Sequence, residues 1–163
     1  MIDGMLVREI TRRCDYDPDQ LVKITRWVNE CRGGTSRSRD CDEMVMRLAD
    51  LHRESGFLSA RVLEYVDPAN MGHLEPGALL SLVQSLPAKP FQVLSVHDCF
   101  RVLPRYGNDL RRQYNRLLAE VAQSDLLSFL VSQIVKRRIT VSKIDPDMFG
   151  DILETNYALR SEE

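Results

Sequence analysis

The chain has 163 residues, 44% hydrophobic and 28% charged, with a net charge of −2. That composition fits one globular domain with a real core and excludes a disordered chain. No apolar run approaches the length of a membrane span, and residues 1–17 lack a basic stretch followed by an uninterrupted apolar one. The expectation is therefore a soluble protein without a signal peptide and with no membrane partner. Cys14, Cys31, Cys41 and Cys99 form no C-x-x-C pair, and only three histidines accompany them. Reduced, packed thiols in a cytoplasmic setting follow from that spacing, and a zinc set does not.

In chain order, the first signal is Asp17 as N-cap with Pro18 at the first helical position. Leu21, Ile24, Trp27, Val28 and Cys31 then fall on one helical face, closed by Gly33-Gly34. The loop 33-GGTSRSRD-40 is basic. Asp40 and Glu43 read as a variant capping box for a second helix carrying Met44, Val45, Leu48 and Leu51, ending near Gly56. Residues 67-DPANMGHLEPG-77 are turn-rich. Leu79, Leu80, Leu82, Val83 and Leu86 suggest a buried helix that stops at 87-PAKP-90.

Phe91–Val96 and Cys99–Leu103 read as two buried strands of a hairpin whose two-residue tip is His97-Asp98, ended by Pro104. Asn108 then caps a helix with Leu110, Tyr114, Leu117, Leu118 and Val121. Ser124 or Asp125 restarts one with Leu126, Leu127, Leu130, Val131 and Ile134. Asp145-Pro146 opens the last, with Met148, Phe149, Ile152, Leu153 and Tyr157 inward. The fold class is α+β, predominantly helical around one antiparallel hairpin. Trp27, Leu48, Leu80, Leu94, Leu118, Leu130 and Leu153 are the core candidates.

Charge is unevenly distributed. Residues 99–143 hold nine Lys and Arg against three acids, whereas 144–163 hold six acids and one base. A polyanion-facing surface and an ordinary solvated helix face both fit that asymmetry.

The tip poses the functional question, because an unpaired buried carboxylate is costly. Asp98 can be a turn residue satisfied by local amides. It can also project outward to meet a hard cation such as Mg²⁺ shared with a phosphate. A nucleophile at Cys99 served by His97 fits less well: i and i+2 on a strand share a face, whereas a base must aim its nitrogen at the sulfur.

The stretch 95-SVHDCF-100 resembles the third conserved motif of the bacteriophage-type single-subunit RNA polymerases, in which His-Asp, then Ser or Cys, then an aromatic sits on the palm hairpin. Related DNA polymerases usually place Glu after the Asp, so Cys99 favours an RNA polymerase. The run 149-FGDILETNYAL-159 is similar to the C-terminal end of that family, which also places two helices between hairpin and tail. The resemblance covers about Lys89 to Leu159, and more loosely 65-YVDPANMGHLEPGALLSLV-83. It divides the chain into a helical segment of unassigned role, 1–60, and a palm-like portion, 61–163.

The resemblance implies that Asp98 is one of two aspartates holding the catalytic Mg²⁺ for nucleotidyl transfer, with His97 beside the primer terminus. It also implies that Arg101, Arg105, Arg111 and Arg112 can face the template or hybrid backbone. A second metal-binding aspartate and the fingers helix with its Lys and Tyr-Gly are missing, and Tyr106-Gly107 follows the His-Asp where the family's Tyr-Gly precedes it. The family ends at an aromatic residue, whereas this chain has Leu159 and four residues more. Half an active site is thus implied, in either the C-terminal subunit of a polymerase split over two genes or a truncated piece of a longer polymerase. The expected partners are a second polymerase subunit, a DNA template, the RNA product and ribonucleoside triphosphates. A catalytically inert nucleic-acid- or protein-binding module on the same scaffold is the alternative. Exposed apolar area beside the hairpin is expected where the missing parts would sit.

Overall fold

Helical spacing of apolar residues dominates the sequence, and the computed structural model accordingly contains seven α-helices and one antiparallel hairpin among the described residues. Those residues are 2–30, 34–35, 37–96, 99–143, 150 and 152. The predominantly helical α+β class is what the chain adopts.

The first helix, α1 (Ile2–Cys14), carries no start signal in the sequence. It is held by packing: Ile10 and Cys14 are fully buried against α6. α2 (Pro18–Glu30) begins as expected, with Asp17 Oδ1 accepting from the Asp19 N–H at 2.9 Å. Ile24 and Val28 face inward.

The start of α3 (Arg39–Ser55) corrects the capping expectation. Ser38 is the cap, its hydroxyl accepting from the Cys41 N–H at 3.2 Å. Asp40 and Asp42 lie inside the first turn, where they complement the helix dipole, and Glu43 pairs with Arg39 at 3.1 Å. Gly56 ends the helix at φ 73°, a left-handed conformation for which glycine carries no Cβ penalty.

α4 (Val62–Tyr65) precedes the turn-rich stretch, which holds a single 3-10 turn at Met71–His73 and leads into α5 (Pro76–Ser85). Asp67 and Asn70 are buried and exchange caps. Asp67 Oδ1 accepts from the Ala69 and Asn70 N–H groups at 2.9 and 3.0 Å, and Asn70 Oδ1 accepts from the Asp67 N–H at 2.8 Å. Asp67 Oδ2 reaches across to the Arg37 N–H at 2.9 Å, pinning the loop before α3.

The hairpin consists of β1 (Leu94–Val96) and β2 (Cys99–Arg101), paired Leu94↔Arg101, Ser95↔Phe100 and Val96↔Cys99. Two expectations change here. The strands are shorter than 91–96 and 99–103, because Phe91 and Val93 leave the ladder for the core. The Phe91 N–H donates to the Cys14 carbonyl at 2.8 Å, and its ring stacks on Tyr106 at 4.6 Å. The strands are also exposed: Leu94 keeps 67% of its surface and Val96 55%, which removes Leu94 from the core candidates. Only one face of the ribbon is covered, where Phe100 meets Tyr114 at 5.7 Å between ring centres. By register, Leu94, Val96, Cys99 and Arg101 share the other face.

A 3-10 turn at Pro104–Tyr106 leads into α6 (Gly107–Gln123), so Asn108 lies within the helix and is not its cap. α7 (Leu126–Val135) starts where Ser124 Oγ accepts from the Leu126 N–H at 3.3 Å. The corner between them is tied to the end of α3, the Asp125 N–H donating to the Ser55 carbonyl at 2.7 Å. The expected helix from Asp145, and Leu153 with it, lies outside the described residues, apart from Gly150 and Ile152, which are helical.

Two apolar clusters result. One gathers α2, α3, α4 and α5 around Val45, Val62, Val66 and Leu79. The other joins α1, Phe57, Phe91, Val93, α6 and α7 around Ile10 and Leu117. Leu48 is buried, whereas Trp27, Leu80 and Leu130 are partly buried against these clusters, as is Leu118 by exposure. Both clusters draw on residues from each side of position 60.

Candidate functional site

Val96 and Cys99 are paired across the ladder, so His97 and Asp98 make up the whole connection between the strands. A two-residue connection is the tightest that an antiparallel pair commonly takes. His97 and Asp98 themselves lie outside the described residues. Their neighbours Ser95, Val96 and Cys99 are exposed.

The structure brings two of the four candidate arginines together. Arg101 and Arg105 are exposed and line one cavity of about 570 Å³ between the foot of the hairpin and the turn after α1, along with Asp15, Gln92 and Leu103. The Arg105 guanidinium lies 4.6 Å from the centre of the Tyr106 ring, a cation–π contact that gives the base of the cavity a fixed charge. Arg111 and Arg112 stand elsewhere, on α6. Arg112 is exposed, pairs loosely with Asp109 at 3.7 Å and lines a different cavity with Ser85, Pro87 and Arg116. Arg111 is half-buried, with its Nε inside.

Magnesium needs several oxygen ligands. Asp98 is the only acidic residue between Glu75 and Asp109. Among the described residues, no three His, Cys, Asp or Glu side chains converge on a metal position. The described residues of this chain therefore do not complete a magnesium site beside the tip, and no catalytic step follows from them alone.

Sequence reasoning missed one buried polar group. Glu9 and Arg13 are 2% and 0% exposed. Glu9 Oε1 accepts from Arg13 Nε at 3.1 Å and from the Ala60 N–H at 2.6 Å, and its Oε2 accepts from the Ser59 hydroxyl at 2.6 Å. Arg13 Nη2 reaches Glu120 of α6 at 2.6 Å. Burial alone would lower the Arg13 pKa, but the hydrogen bond and charge of Glu120, joined by those of Glu9, hold it above its ordinary value. The signal for this group was the Glu9/Arg13 spacing of four, a helical ion pair. Nearby, burial pushes the Cys14 thiol up to about 12, and burial, then Cys14, raises the Tyr16 hydroxyl. Tyr16 donates a short hydrogen bond to the Pro87 carbonyl.

Among the described residues, no single helix is long and apolar enough to cross a membrane. No family model and no curated protein matches the chain.

Proposed function

We propose that the chain is the C-terminal palm portion of a phage-type DNA-directed RNA polymerase, inactive alone, which contributes Asp98 to Mg²⁺-dependent nucleotidyl transfer. The observation that carries this reading is the register Val96↔Cys99, which makes His97-Asp98 the two-residue connection of an antiparallel hairpin. The order of elements agrees, since α6 and α7 follow the hairpin before the similar C-terminal run. The second carboxylate, the fingers helix with its Lys and Tyr-Gly, and closure over the triphosphate all belong to a second subunit. Magnesium is then shared between two chains, and DNA template, RNA product and ribonucleoside triphosphates meet at their junction, in the cytoplasm.

The uncovered face of the hairpin supports a junction there. Leu94 and Val96 are exposed side by side, and Leu103 beyond them is 61% exposed. Purification of the tagged chain from its native host, with mass spectrometry of the stoichiometric partner, tests the proposal. A partner carrying the missing aspartate and fingers motif is expected. A chain recovered alone, or with a partner lacking those motifs, would instead favour an inert binding module on the same scaffold.

A further inference from the structure

A second basic surface lies away from the hairpin, where α7 ends. Lys136 adopts φ 55° and ψ 30°, a left-handed conformation where glycine is the usual choice, and turns the chain back along the helix. The return is fixed by two serines of α7. Ser132 Oγ donates to the Ile139 carbonyl at 3.1 Å and accepts from the Ile139 N–H at 2.9 Å, while Ser128 Oγ accepts from the Val141 N–H at 3.0 Å. Lys136, Arg137 and Arg138 are thereby presented together at a pinned turn, all exposed. None of the three has a carboxylate partner among the described residues.

That turn borders a cavity of about 810 Å³ reaching across to Arg53 in the last turn of α3. Its two acidic lining residues are Glu54 and Asp125, and Asp125 is engaged by Lys143 at 3.4 Å. Arg53 is itself paired with Asp50. Net positive charge remains at the turn. Phe129 lines the same cavity and is half-buried, offering an aromatic surface beside the cations.

Cations near a helix C-terminus offset its dipole, which accounts for one charge at the end of α7. It does not account for two more on the returning segment, nor for an aromatic side chain lining the same cavity. Clustered cations along a groove with an aromatic platform are the recognition chemistry of a single-stranded polynucleotide: phosphates meet the charges and a base stacks on the ring. We infer that the Lys136–Arg138 turn, with Arg53 and Phe129, binds the sugar-phosphate backbone and one base of a single-stranded nucleic acid. This surface shares no lining residue with the Arg101/Arg105 cavity, and its test requires neither magnesium nor a partner chain.

The test is fluorescence anisotropy of the full chain with labelled single-stranded RNA, single-stranded DNA and duplex DNA of about 16 nucleotides, at salt from about 50 to about 200 mM. Three variants are compared after circular dichroism shows each to be folded. Lys136→Gln/Arg137→Gln/Arg138→Gln should weaken single-strand binding at least about tenfold and lower the slope of log affinity against log salt by about 2. Phe129→Leu, which keeps the apolar volume, should weaken binding about fivefold with the slope unchanged. Lys23→Gln/Arg26→Gln/Arg47→Gln, with equal charge removed from other exposed positions, should stay within about twofold of wild type. RNA binding with weak DNA binding would assign the strand to a transcript, and the reverse to a template. The inference is overturned if wild type binds none of the oligonucleotides, or if the control triple loses as much as the turn variant. It is equally overturned if the turn variant loses binding only to anionic phosphatidylserine vesicles.

Discussion

Glu9 ties α1 to the segment before α4 through one buried carboxylate. Its carboxylate serves Arg13, Ser59 and the Ala60 N–H at once, while 2% exposed. Removing it leaves the buried Arg13 guanidinium to Glu120 alone and orphans two donors, so Glu9→Ala should cost about 3–5 kcal/mol, read as a drop in the urea midpoint with an unchanged slope. Arg13 and Glu9 were visible in the sequence only as a helical pair. Their burial was not, because it depends on Glu120, 107 residues beyond Arg13. Cys14 gives a second residue-scale prediction. Its thiol is shifted from 9.0 to about 12 by burial, so the folded state keeps a proton that the unfolded chain releases. The contribution is fully present below pH 9 and is lost as pH rises toward 12. Stability measured across that window should fall, and Cys14→Ala should flatten the fall. A slope unchanged in Cys14→Ala would contradict this assignment.

At the scale of elements, periodicity and caps were legible where the cause is local. Asp17-Pro18, Gly56 and the restart at Ser124 all mark helix ends in the structure. The choice between Ser38 and Asp40 was not legible, since both are good caps and lie two residues apart. Ser38→Ala should cost about 1 kcal/mol in a chemical melt, with Asp40→Ala well below that. Equal costs would show that the cap is shared. The hairpin was legible in position and register but misread in burial. Apolar content resembles burial in a sequence, and only a partner for the outer face distinguishes the two. Leu94→Lys with Val96→Thr should therefore change the chain's own stability by no more than about 0.5 kcal/mol each, yet abolish capture of the second subunit. A large loss of stability would show that the face is already occupied within the chain.

For the whole molecule, the decisive feature is that α1 packs on α6 while, among the described residues, the hairpin is covered on one side alone. The helical class and the order of α2, α3, α5, the hairpin, α6 and α7 followed from pattern, whereas α1 and the short α4 did not. The way α1 closes the second core did not, because no local signal marks its start. Of the candidate site, the strand pairing that flanks the tip was legible, and Arg101 and Arg105 share a cavity as neighbours on the hairpin's foot. Arg111 and Arg112 do not join them: both lie on α6, where Arg112 lines another cavity and Arg111 is half-buried. In the proposed reading, a carboxylate from outside the described residues joins Asp98 in holding two catalytic ions. The most direct measurement is Mg²⁺-dependent, template-directed RNA extension by the complex purified from the native host, comparing wild type with Asp98→Asn. Extension by the wild-type complex is expected, with a loss of at least about a thousandfold in Asp98→Asn while the complex still assembles. Extension that survives Asp98→Asn would contradict the role proposed for Asp98.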